Sequence, residues 1–203
     1  IQQRIKNFYN RDSVIIFPPV DTSRFQPVPA DEVGDYYLIV SRLIPYKRID
    51  LAVQAANRLG FQLKIAGKGR DLDRLKSMAG ANVEFLGYVS DKKLPGLMAR
   101  CKAFIFPGFE DFGIAPVQAQ AAGRPVIAFG GGGALDTVIR GKTGVLFDEL
   151  TVDSLVKVMQ QFDASAFDPA EIRKHALRFD SSVFERAITE YVERAWDSFQ
   201  AKE

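Results

Sequence analysis

Short apolar, β-rich runs alternate with helical stretches through most of this chain, and that rhythm restricts the fold more than any other feature. The runs span residues 14–17, 37–40, 63–66, 83–86, 103–106, 126–128 and 144–147. Together they read as continuous apolar runs rather than strict alternation, interrupted only by Lys64 and Glu84, which is what parallel strands covered on both faces require. Between them the spacing predicts helices over 48–59, 71–78, 91–100, 113–122 and 134–139. The pattern implies α/β architecture: a doubly wound, mostly parallel, Rossmann-like sheet. Right-handed crossovers would bring every strand's C-terminal end to one edge, where such sheets bind ligands.

Past Phe147 the alternation stops, and three helices are predicted over 151–162, 169–178 and 182–199. The last opens on Ser182 and Glu185 at capping-box spacing and carries a stripe of Phe184, Ile188, Tyr191, Ala195 and Phe199. Trp196 beside that stripe reads as packing. The Pro-rich residues 17–35 read as a rigid surface connection.

Composition narrows the function. A net charge of +2 gives no reason to expect nucleic acid. The charge is unevenly spread: between Arg42 and Lys76 stand nine Lys/Arg against three Asp/Glu, leaving the remainder at minus four. Such a basic segment suits a small anionic ligand or, equally, solvated helix faces. The single cysteine, Cys101, excludes an internal disulfide and suits a reducing, cytoplasmic setting. With His175 the one histidine, Cys101 reads as a buried thiol rather than a nucleophile. No run of 18 apolar residues could span a membrane, and no signal peptide is seen. The opening IQQRIKNFYN lacks Met, so the chain is expected to be cut from a longer protein.

The strand ends hold the residues suited to chemistry. After the run 37–40, Arg42 and Lys47 flank Pro45 at a spacing that lets both reach over one sheet edge. Arg offers a fork for phosphate oxygens and Lys a mobile point charge. Gly67 and Gly69 permit a tight turn, but Leu72 breaks the G-x-G-x-x-G dinucleotide pattern. Asp91 or Ser90 is expected to cap the next helix, and Gly87, Tyr88 and Val89 to leave backbone groups exposed. The stretch FEDFGIAPVQAQAAG places Pro116 in the first turn of a helix beginning near Gly113. The amides of Phe112, Gly113 and Ile114 would then be free to meet an anion. Glu110 and Asp111 stand directly before that anion-binding start. Four glycines, Gly130–Gly133, follow the next strand and leave room for a ligand. A phosphate with several sugar hydroxyls attached would use the cations, the amides and Glu110 together.

This combination resembles the C-terminal, nucleotide-sugar-binding domain of the retaining glycosyltransferases of family 4, which have the GT-B fold. The matching pieces are PPVDTSRF, VSRLIPYKRIDLAVQAANRL, LKIAGKGRDLDRL, the long stretch from NVEFLGYV to GGGGALDTV, and GKTGVLF, covering about residues 14–147. The resemblance implies that Arg42 and Lys47 bind the donor diphosphate and assist its departure. Glu110 would take the first place of an E-x7-E motif and contact the transferred sugar. Amides of Phe112, Gly113 and Ile114 would meet the distal phosphate and sugar, and Gly87, Tyr88 and Val89 the base. Gly131 and Gly132 would border the sugar pocket. Gln118 stands where the second Glu usually meets the ribose, a neutral and weaker acceptor.

The resemblance further implies a metal-independent hexosyltransferase with no cofactor, using GDP-mannose by preference. Its acceptor, a glycan or lipid-linked saccharide, would be held by a preceding domain, with the protein cytoplasmic and at the membrane face through peripheral association. Residues 1–10 would end a helix of that domain, 11–180 form the donor-binding domain, and 181–203 cross back to the missing half. The isolated segment would then bind donor without transferring sugar. Alternatives are a non-catalytic nucleotide-sugar-binding module, another GT-B enzyme such as an epimerase, and, least of all, a nicotinamide oxidoreductase.

Overall fold

A computed structural model describes residues 2–201. It contains one six-stranded sheet: β1 (Tyr36–Val40), β2 (Gln62–Ala66), β3 (Val83–Gly87), β4 (Ala103–Phe106), β5 (Val126–Phe129) and β6 (Gly144–Phe147). All five strand pairings are parallel, in the order β3-β2-β1-β4-β5-β6. Helices α1 (Gln2–Tyr9), α2 (Ile49–Leu59), α3 (Leu72–Met78), α4 (Leu94–Ala99), α5 (Ile114–Ala121), α6 (Ala134–Thr137), α7 (Val152–Gln161), α8 (Pro169–Ala176) and α9 (Ser181–Gln200) complete the fold.

The unbroken apolar runs β1, β4, β5 and β6 form strands because both sheet faces are covered there, whereas β2 and β3 bury one face and carry the Lys64–Glu84 ion pair on the other. In β1, Leu38 faces one core layer with Phe104, Val117 and Val126, while Tyr37 and Ile39 face the other with Leu51, Leu63 and Leu155. Helices α2, α3 and α7 close the second face, and α4, α5 and α8 the first. Full burial of a side chain such as Leu38 contributes about 1.5–3 kcal/mol. Cys101 is wholly buried, and burial pushes its thiol up to about 12, so it is an inert core residue.

Several sequence expectations need correction. Residues 14–17 form no strand; Val14 and Ile15 are 63% and 55% exposed, with no neighbouring strand to pair them. The Pro-rich segment 17–35 does more than skirt the surface. Val20 and Phe25 enter the core, and Val20 bridges to Asp180. The cap of α9 is Asp180 rather than Ser182: its carboxylate accepts from the Ser182 amide. At α4 neither Ser90 nor Asp91 caps through its side chain; the Ser90 carbonyl instead accepts from the Lys93 and Leu94 amides. Helix α1 lies within the expected 1–10 segment, whose Ile1 lies outside the described residues, as do Lys202 and Glu203 of 181–203. No described helix is long and apolar enough to cross a membrane.

Candidate active site

The strand order reverses direction between β1 and β4, and doubly wound sheets bind ligands in the crevice outside the strand ends at such a switch point. Arg42 and Lys47 leave β1; Glu110 and Gly113 leave β4, its parallel neighbour. All four therefore stand at the same sheet edge. The bases of these loops are fastened by backbone bonds: Ser41 N donates to Ala66 O at 3.0 Å and Leu43 N to Lys68 O at 3.0 Å. Gly67 and Gly69 permit this approach, because a Cβ on either would come within 1.8 and 2.1 Å of the Ser41 and Leu43 carbonyl oxygens. Their absent side chains serve the β1 exit loop as much as their own turn.

Lys47 ends a short 3-10 turn, Pro45–Lys47, which Arg48 leaves in a left-handed conformation with φ of 51°. Such a conformation is strained for an L residue, and here Arg48 is tied by its ion pair to Asp50 and by a bond to Leu150 O. Gly108, which the sequence did not single out, then brings the β4 exit against Lys47: a Cβ there would lie 2.8 Å from Lys47 O. The result is a direct ion pair between the Lys47 ammonium and Glu110 Oε1. Their side chains are only 18% and 17% exposed, so water screens the pair less than it does a surface bridge. Glu110 Oε1 is itself buried and gains no well-angled hydrogen bond. Arg42 stays exposed at the rim.

Helix α5 begins after Gly113, whose φ of 90° turns the chain into the helix; a Cβ there would meet the Phe106 ring at 2.7 Å. No side chain caps this start, and the Phe112, Gly113 and Ile114 amides find no acceptor among the described residues. Pro116 sits in the first turn, as expected. Gln118 lies about one turn along α5 and is half-buried.

The four-glycine loop differs from its reading as open space. The Gly130, Gly131 and Gly133 amides donate to Phe147 O, Phe129 O and Glu110 O, the last at 2.7 Å. A Cβ on Gly132 would lie 2.1 Å from Glu110 O, and one on Gly133 2.2 Å from Phe112 Cα. These glycines hold the Glu110 loop by backbone-to-backbone packing, and only the Gly132 amide lacks a protein acceptor among the described residues. The Gly87 carbonyl accepts from Gly67 N at 2.7 Å, which ties the β3 exit to the β2 exit. Tyr88 next to it is 69% exposed, and Val89 is half-buried.

A cavity of about 550 Å³ lies beside His175 and Lys142 at the edge where the strands begin, away from these residues. A smaller one of about 310 Å³ joins Asp111, Phe112 and Asp136 to the apolar residues Val14–Phe17. Among the described residues, no group of His, Cys, Asp and Glu could hold a metal ion.

Against known proteins, the family model for glycosyl transferases group 1 matches residues 21–177. The chain belongs to this family. The GDP-mannose-dependent alpha-(1-6)-phosphatidylinositol monomannoside mannosyltransferase of Mycobacterium tuberculosis is 34% identical over 172 residues, covering 71% of this chain and 45% of that enzyme. Sucrose-phosphate synthase from Thermosynechococcus elongatus superposes with a TM-score of 0.85 at 22% identity, over 97% of this chain and 56% of that one. HepE of Anabaena in complex with UDP-glucose superposes with a TM-score of 0.78 at 22% identity, over 89% and 57%. These two structures bear on the fold alone. The chain spans about half the length of the relatives it matches.

Proposed function

We propose that this group 1 glycosyl transferase chain binds a nucleotide diphosphate sugar at the β1/β4 crevice and serves retaining transfer of a hexose, mannose by preference. The observation that supports this most is the meeting of Lys47, Glu110 and the uncapped α5 start at the switch point. One ligand answers all three: a diphosphate for the cations and amides, and hexose hydroxyls that donate to the carboxylate. Arg42 and Lys47 meet the charge that grows on the departing diphosphate, so they act on the transition state more than on ground-state binding. Ionised Glu110 beside the hexose favours an oxocarbenium-like centre. The Phe112, Gly113 and Ile114 amides face the distal phosphate, Gly87, Tyr88 and Val89 flank the base, Gln118 accepts from the ribose, and the Gly131–Gly132 segment borders the sugar.

Mannose is favoured because the mycobacterial relative is named for GDP-mannose, and a lipid-linked saccharide acceptor because that relative acts on a phosphatidylinositol monomannoside. No metal is required in this reading, since two basic side chains and a helix start supply the positive charge. The protein works at the cytoplasmic face of a membrane.

Titration calorimetry with GDP-mannose, UDP-glucose and ADP-glucose tests the reading. Binding of GDP-mannose in preference to the others is expected. Replacing Lys47 by Ala should weaken diphosphate binding by about 1–3 kcal/mol, the loss of a charge-assisted bond. Unchanged affinity in that variant would remove Lys47 from the site.

A further inference from the structure

We infer that the Lys47–Glu110 ion pair competes with the spent donor, so that loss of the hexose triggers release of the nucleoside diphosphate. The inference rests on the donor-site reading above and adds to it a direction of traffic. Each member of the pair is needed by a different half of the ligand: Lys47 by the diphosphate, Glu110 by the hexose. Before binding, they satisfy each other. Glu110 Oε1 is buried without a hydrogen bond, and among the described residues Lys47 is the one cation paired with it. Turning Lys47 toward a phosphate therefore strands a buried carboxylate oxygen, which is unfavourable unless another donor reaches it.

A hexose still attached to the diphosphate brings that donor in its hydroxyls, and both partners are satisfied again. A nucleoside diphosphate has hydroxyls only on its ribose, which the reading above gives to Gln118, and brings none to Glu110. After the sugar has left, Glu110 reclaims Lys47 and the product is held by one contact fewer. The pair thus separates loaded donor from product at the atoms where the two differ. The Gly133 amide, bonded to Glu110 O, keeps the carboxylate loop from relaxing away from Lys47 and relieving the conflict.

Calorimetry with GDP and UDP as probes tests this on the wild type, Glu110→Gln, Lys47→Met and the double variant. Glu110→Gln keeps the side-chain shape and frees Lys47, so it should tighten nucleoside diphosphate binding by about five- to tenfold, the scale of a partly buried ion pair. In the Lys47→Met background the same change should alter affinity by less than about twofold. Glu110→Asp, which draws the carboxylate back without removing its charge, should tighten binding by a smaller factor. Weakened or unchanged affinity in Glu110→Gln overturns the inference. So does equal tightening with and without Lys47, which would mean plain repulsion between carboxylate and phosphate. A wild type that binds neither GDP, UDP nor any nucleotide sugar overturns the donor-site reading as well. A wild type that binds them while Glu110→Gln is no tighter overturns the competition alone.

Discussion

An alanine at position 133 would place its Cβ 2.2 Å from Phe112 Cα and 2.4 Å from Phe112 O. Neither atom is the end of a flexible side chain, so the Glu110–Phe112 loop itself has to move. Gly133→Ala is expected to destabilise the protein by about 1–3 kcal/mol, the usual scale of overpacking. It should also weaken nucleotide-sugar binding, because the shifted loop carries Glu110 and the α5 start. Chemical unfolding together with calorimetry checks both, and a variant with wild-type donor affinity would show that the loop position is immaterial. The same contacts explain why the glycine run was only half legible. A glycine announces that a Cβ is missing but not which atom fills the space. At 131–133 the occupants are the protein's own Phe129, Glu110 and Phe112. Likewise Lys47 and Glu110 were each readable as ligand groups, while their ion pair was not, because Gly108 brings together two loops far apart in sequence.

At the scale of elements, periodicity gave type well and ends less well. Six apolar runs are strands because each has a parallel neighbour; β1, β4, β5 and β6 pack on both faces, while β2 and β3 pack on one and pair Lys64 with Glu84 on the other. Residues 14–17 have the same composition and fail because no strand edge receives them. A four-residue apolar run cannot report its neighbours. The start of α9 shows the matching limit for caps. Ser182 and Glu185 fit the spacing, yet Asp180 wins because the chain arrives there beside Thr22, and one carboxylate serves both segments. Hydrogen bonds from Thr22 first, and Ser182 next, draw the Asp180 carboxyl down to about 2. A folded value below the unfolded one, ordinarily near 3.9, means the bond contributes fully above about pH 4 and is lost as pH falls toward about 2. Asp180→Ala should therefore cost about 1–2 kcal/mol near neutral pH, with a gap that shrinks between about pH 4 and pH 2. Denaturation curves across that range read it directly; a gap independent of pH would mean that lost packing, not the charged cap, is responsible.

For the whole molecule, a parallel doubly wound sheet was legible because two-sided burial leaves an unbroken apolar signature in the central strands β1, β4 and β5, and because helical stretches separate the strands. The order β3-β2-β1-β4-β5-β6 was not, since hydrophobic period records which faces are covered and not which strand lies alongside. Yet the order gives the site its meaning. Only with β1 beside β4 do Arg42 and Lys47 share a crevice with the α5 start, and only then does one ligand bind the two halves of the sheet together. Donor binding should consequently stabilise the whole fold rather than one loop. At a hundredfold excess over its dissociation constant, GDP-mannose should add about 2.7 kcal/mol, which for a chain of this size raises the melting temperature by about 5–10 °C. Because the proposed site draws its positive charge from side chains and amides, the shift should survive EDTA. It should also shrink clearly in Arg42→Ala, whose guanidinium stands exposed at the rim and is free to grip a phosphate. A shift that appears only with added magnesium would transfer the diphosphate-binding role from Arg42 and Lys47 to a metal ion, and the crevice would have to be read anew.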